Sequence, residues 1–157
     1  MSGFYSAGLF DAIPDSVASR PQDDTSTVVD DDLERGLEIL VKSDIAAIAA
    51  RISTMTADVT RAYLRDSTGS LLDSVDVSGS GGGDTFSFNA DLTADSNYRI
   101  TLDAEGSDYT AGFANDETDY PYTSSDVDIT GQIEGSSVSQ SQTHVVNDVG
   151  NPDNVLG

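Results

Sequence analysis

Apolar residues at alternate positions constrain this chain more than any other feature. Leu37, Ile39 and Val41 alternate with Glu38, Leu40 and Lys42. Phe86, Phe88 and Ala90 share one parity, and Tyr98, Ile100 and Leu102 share another, with Arg99, Thr101 and Asp103 on the opposite face. Tyr109, Ala111 and Phe113 repeat the pattern, and Val127, Ile129 and Ile133 extend it. A period of two places such residues on one face of a β-strand. Residues 59–65 and 70–77 flank Asp66-Ser67-Thr68-Gly69 and read as a hairpin. Residues 45–52, IAAIAARI, are ambiguous. Their isoleucines sit at helical spacing and alanine favours helix, but the segment is short and lies between strand-like runs, so strand is preferred. About seven or eight short strands divided by polar turns predict an all-β fold, an antiparallel β-sandwich or jelly roll.

The termini read differently. Residues 1–35 are expected to be an N-terminal arm and acidic linker, 36–133 the sandwich domain, and 134–157 a polar C-terminal tail. The arm opens with an apolar cluster, Phe4, Tyr5, Leu9, Phe10 and Ile13, ending at Pro14. It has no basic start and no long apolar core, so it is not a secretory signal. Two readings fit it: a buried first strand or short amphipathic helix, or a segment that buries its aromatics against another subunit. Pro14, Pro21, Asp23, Asp24 and the run Asp30-Asp31-Asp32 mark the linker.

Charge narrows the environment. The chain carries 28 acidic and 7 basic residues in 157, a formal net charge of −21. Twenty-three of the acids are Asp, and Lys42 is the one lysine. Nucleic-acid binding needs a basic footprint that this chain lacks, and an anionic membrane surface is disfavoured for the same reason. No apolar run is long enough to span a bilayer as a helix. At ordinary ionic strength such a charge repels itself; at 1 M salt the Debye length falls to about 3 Å and the repulsion fades. Short Asp side chains and few long Lys stems also limit exposed apolar area. The composition therefore points to multimolar salt. Disorder is the competing reading, but Val, Ile, Leu and Phe supply 36 residues arranged in alternating runs, which favours a folded domain.

Catalytic chemistry finds little support. There is no cysteine, and His144 is the one histidine, which rules out a three-histidine zinc site within the chain; lying in the polar tail, it reads as a solvated residue rather than the base of a catalytic triad. Gly79-Ser80-Gly81-Gly82-Gly83 lacks the Lys-Ser/Thr of a phosphate-binding loop and reads as a flexible connection. Carboxylate pairs are too abundant to single out a glycosidase site. The expectation is a non-enzymatic protein without a cofactor. The weak metal candidate is Asp103, Glu105 and Asp108 around Gly106, hard oxygens suited to a structural Ca²⁺ or Mg²⁺ ion, against a plain solvated loop. Tyr109, Phe113, Tyr120 and Tyr122 cluster in and beside one acidic loop. They either pack into the sandwich edge or contact a ligand or partner, in the way β-sandwich modules hold sugars.

The stretches GLEILVKSDIAAIAARIS, TRAYLRDSTGSLL and FSFNADLTADSNYRITLDAEGSDYTAGF give residues 36–133 a pattern of turns and strands. In that pattern the chain resembles small β-sandwich structural proteins of haloarchaeal tailed viruses, which form turrets, fibres or baseplates. The resemblance implies a virion protein displayed on the particle and assembled as a ring or trimer with itself and with other virion proteins. Its alternative is a host-glycan-binding adhesion module of a virus or a haloarchaeal cell surface. The chain has no Asn-x-Ser/Thr acceptor, which disfavours a mature envelope protein.

Overall fold

A computed structural model describes residues 17–20, 25–29, 34–51, 59–77, 85–103, 109–113, 120–134, 137–139, 143–144 and 148–155. Among them the chain is almost entirely extended. The strands are β1 (Val17–Ser19), β2 (Thr25–Val29), β3 (Arg35–Val41), β4 (Ile48–Arg51), β5 (Arg61–Asp66), β6 (Leu71–Asp76) and β7 (Thr85–Phe88). They continue with β8 (Ser96–Asp103), β9 (Tyr109–Phe113), β10 (Tyr122–Thr123), β11 (Val127–Glu134), β12 (Ser137–Ser139), β13 (Thr143–His144) and β14 (Asp148–Gly150). One short helix, α1 (Pro152–Val155), follows, with proline at its first position.

The fold is the expected all-β sandwich. One antiparallel sheet has the order β1-β14-β4-β7, and a larger one the order β10-β11-β3-β8-β5-β6, with β12 added to β11. A third, β13-β9-β2, places β13 against β3 and β11. The core forms where the two larger sheets share their apolar faces. Leu37, Ile39 and Val41 from β3, Leu64 from β5, and Tyr98, Ile100 and Leu102 from β8 join Ile48, Ala50, Phe86, Phe88 and Val149 from the smaller sheet. Phe86 and Phe88 meet edge to face at 5.6 Å, a favourable aromatic geometry. Residues 48–51 of the ambiguous run form β4, whose isoleucine and alanines are buried.

Close approach dictates one glycine. A Cβ at Gly36 would lie 1.9 Å from the Ile100 carbonyl oxygen, so β3 can lie against β8 there only without a side chain. Gly69 has φ +92°, in the region that favours glycine, and closes the β5–β6 hairpin. Its turn is held by the Asp66 carboxylate, which accepts from the Thr68 amide at 2.8 Å, the Thr68 hydroxyl at 2.6 Å and the Ser70 amide at 2.9 Å.

Two features depart from expectation. The register of β11 shifts between Ile129 and Gly131, which sets Gln132 opposite Leu37 and Ile133 opposite Gly36. Ile133 therefore leaves the face it was expected to share with Val127 and Ile129, and is buried outside the central cluster. The strands also outnumber the seven or eight expected, because segments read as linker and tail contribute to the sheets. β1 falls within the supposed linker and β14 within the supposed tail, yet β14 lies between β1 and β4, and Ala18 and Val149 are fully buried. Each strand is three residues long and carries one buried apolar side chain, too little for alternation to register. Val149→Asp would bury a carboxylate in the core and should cost at least about 3 kcal/mol. Urea unfolding in multimolar KCl measures it, and an unchanged midpoint would return residues 148–150 to a solvated tail.

Candidate functional site

The anticipated aromatic cluster divides between two sheets. Tyr109 and Phe113 lie on β9, whose backbone pairs with β2 and β13. Tyr120 precedes β10, and Tyr122 begins it. Their rings meet edge to face at 5.3 Å, and both are half-buried against the core. The guanidinium of Arg20, just after β1, lies 5.6 Å from the Tyr120 ring centre. Arg20 is buried, so this cation–π contact is desolvated and worth more than its exposed counterpart. The pair thus helps to fasten β1 to the β10 edge, while Tyr122 keeps part of its surface in solvent.

The other expected positions are placed less fully. Phe4, Tyr5, Leu9, Phe10 and Ile13 lie outside the described residues, as do Glu105 and Asp108. Asp103 ends β8, and its carbonyl accepts the Thr60 amide at 3.1 Å. Among the described residues no group of three metal-ligating side chains forms. His144 belongs to β13, opposite Gly112. A cleft of about 240 Å³ is lined by Ile45, Ala46, Ala47, Asp126, Asn151 and Pro152. Beside it, Lys42 donates to Asp128 at 2.8 Å and to the Ser124 carbonyl.

A group of arginines interleaved with carboxylates on the outer face of the larger sheet was not anticipated; Glu38 of β3 lies opposite Arg99. In β5, residues 62 and 64 point into the core, so Arg61, Tyr63 and Arg65 share the outer face. β8 sets Thr101 opposite Tyr63 and Arg99 opposite Arg65. Two arginines directly across a strand pair repel each other. Glu34 offsets this by gripping Arg65 with both oxygens, at 2.9 Å to Nε and 2.5 Å to Nη2. The Thr101 hydroxyl donates to the same carboxylate at 2.6 Å. The Glu34 hydrogen bond raises the Arg65 pKa further above neutrality, so this guanidinium stays charged. Arg65 also lies 5.0 Å from the Tyr63 ring centre and donates to the Gly69 carbonyl at 3.2 Å. Arg61 pairs with Asp76. The buried Nε of Arg99 has no hydrogen-bond partner. At the same end of the sheet, Leu71 and Leu72 are 53% and 43% exposed, the large apolar side chains most open to solvent among the described residues. The i, i+2, i+4 spacing of Arg61, Tyr63 and Arg65 announces a shared strand face. The juxtaposition with Arg99 depends on register across β8, which one strand alone does not reveal.

No family model matches the chain, and neither a search of curated proteins nor one of solved structures finds a match. The Asp66 turn beside this face gives a direct electrostatic test. Hydrogen bonds, first from the Thr68 hydroxyl and then from the Ser70 amide, hold the Asp66 carboxyl below the ordinary aspartate range. Its contribution to the turn is complete above the unfolded-state pKa and is lost as pH falls through the lowered folded-state value. An NMR carboxyl titration should place Asp66 below a free aspartate, and Thr68→Val should move it back up. An unmoved titration would show that the hydroxyl does not hold the carboxylate.

Proposed function

We propose that the chain is a non-enzymatic structural component of a halophilic archaeal virus particle, a surface-displayed β-sandwich joined to neighbouring subunits through residues 1–13. The observation that carries the reading is the distribution of charge. Among the described residues whose burial is given no acidic residue is buried, and Asp44, Asp76, Asp91 and Asp95 are exposed. The core beneath is aliphatic and aromatic. A hydrated carboxylate skin over such a core suits a protein that must stay soluble where salt strengthens apolar association. Support for a particle component comes from the resemblance in turns and strands and from the composition of residues 1–13. Their apolar side chains would add area-proportional burial, about 25 cal/mol per Å², at each subunit contact, and a ring or trimer would multiply weak contacts by avidity.

Deleting residues 1–13 tests the reading. In multimolar KCl the full chain should sediment as a ring or trimer and join particles, whereas the shortened chain should remain monomeric with an unchanged circular dichroism spectrum. A full chain that stays monomeric at every concentration, or a deletion that assembles normally, would overturn it. The half-exposed Tyr122 favours one second reading, host-glycan contact by the same displayed domain. In that case Tyr122→Ala abolishes binding to purified host surface glycans and leaves the oligomeric state unchanged; equal binding by the variant removes this reading.

A further inference from the structure

We infer that Asp73 is a contact guard at the edge of the sandwich: it holds backbone amides beside β6 and β7, and so keeps β6 from pairing with β6 of a second copy even where salt has screened the charge of the strand. The inference rests on the reading of a protein for multimolar salt and does not depend on residues 1–13. β6 is the terminal strand of the larger sheet and, among the described residues, pairs only with β5. Leu71 and Leu72 lie exposed on it, so strand addition there would cover apolar area as well as satisfy backbone groups.

Alternation along β6 tells which backbone groups face outward. The Val77 amide, just beyond the strand, donates to the Thr60 carbonyl at 2.9 Å, so Val77 directs its backbone toward β5. Val75 and Asp73 share that direction, and Ser74 and Asp76 direct theirs away. The Ser74 amide agrees, since it donates at 2.8 Å to the Asp73 carboxylate and not to β5. A two-fold pairing of β6 with β6 centred on Ser74 would need each Ser74 amide to donate to the other copy's Ser74 carbonyl. Leu72 would then face Asp76, and Asp73 would face Val75. No two aspartates stand directly opposite, so charge alone does not forbid this register.

Asp73 closes it by contact. Its partner on β5 is the fully buried Leu64, so the Asp73 side chain lies on the core-facing side of the strand, half-buried at the rim. One carboxylate oxygen takes the Ser74 amide, and the other takes the Asn89 amide at 2.9 Å. Asn89 directly follows β7, the terminal strand of the smaller sheet, which touches β6. A single side chain thus engages both sheets at their shared edge, in the manner of the inward-pointing charges that guard sheet edges. At 1 M salt the Debye length is about 3 Å, so the charge of the exposed Asp76 no longer holds off an approaching molecule. The Asp73 hydrogen bond spans 2.8 Å and survives that screening. A second copy would have to break it and leave a half-buried carboxylate short of a donor.

Sedimentation of the full chain in multimolar KCl tests the guard. Asp73→Ala should reach a given rise in average mass at a concentration about tenfold lower than the unaltered chain. Asp76→Asn removes the same charge from the same strand but leaves the Asp73 contacts, so it should match the unaltered chain within about twofold. All three are compared at the same salt, so the comparison decides whether or not the unaltered chain needs salt to fold. Hydrogen exchange locates the contact. The Ser74 amide should exchange faster in monomeric Asp73→Ala than in the unaltered chain, and the Ser74 and Asp76 amides should be protected once the variant associates. If Asp73→Ala loses its circular dichroism spectrum, Asp73→Asn takes its place, because its one carbonyl oxygen cannot span both donors. Unchanged association in the Asp73 variant would overturn the guard. Equal association by Asp76→Asn would show that charge and not contact protects the edge, and association without protection at Ser74 and Asp76 would place the interface elsewhere; either result overturns the proposal.

Discussion

The apolar contact between the two larger sheets is the constraint on which the rest of the structure depends. With 28 acidic residues in 157, few positions remain that can be buried at low cost. The molecule resolves this by parity. In β3, Leu37, Ile39 and Val41 face inward, and Glu38 between them faces out. In β8, Tyr98, Ile100 and Leu102 face inward while Arg99 stays partly exposed. Because β3 lies between β8 and β11, its inward residues occupy the middle of the larger sheet, and a slip of one residue would carry carboxylates into the core. Gly36 adds a steric condition at the same strand, since only a residue without a side chain permits the close approach of β8.

The few cations are placed where a carboxylate is already at hand. Lys42 meets Asp128, Arg61 meets Asp76 and Arg65 meets Glu34. Exposed pairs of this kind contribute little, about 0–1 kcal/mol each, and Asp76 is almost wholly in solvent. The Arg65–Glu34 pair differs in geometry. Both carboxylate oxygens are engaged, each partner is about one quarter exposed, and Thr101 adds a third hydrogen bond. Such a forked contact is directional, so it fixes the orientation of Arg65 over Tyr63 as well as its charge. The consequence is an ordered arginine–carboxylate network on the outer face of the larger sheet.

The strands that were legible in the sequence are those with several alternating apolar residues: β3, β5, β7, β8 and most of β11. The hairpin turn at residues 66–69 was legible as well, because Asp, Thr and Gly there each have a local role. What escaped is non-local. β14 joins β1 to β4 across about a hundred residues of chain or more, and β1 and β14 each signal with a single buried apolar side chain. The bulge in β11 moved Ile133 to the other face, although its spacing from Ile129 looked regular. For the candidate site, the adjacency of Tyr120 and Tyr122 follows from their closeness in the chain, whereas the burial of Arg20 against Tyr120 depends on the pairing of chain ends. The opposition of Arg65 and Arg99 depends likewise on register.

β6 shows how charge and apolar exposure act together at a sheet edge. A terminal strand offers backbone groups to any neighbour, and proteins commonly guard such edges with charge. Here Asp73 and Asp76 supply the charge, yet Leu71 and Leu72 expose apolar area on the same six residues. Asp73 is partly committed elsewhere, since it accepts the Asn89 amide at 2.9 Å and ties β6 to the end of β7. At low ionic strength the carboxylates of two approaching molecules repel over about 10 Å or more, and the leucines do not meet. In multimolar salt that range contracts to the size of an ion, while apolar association strengthens. Rising salt therefore weakens the charge guard on this strand while it strengthens the apolar attraction of its two leucines.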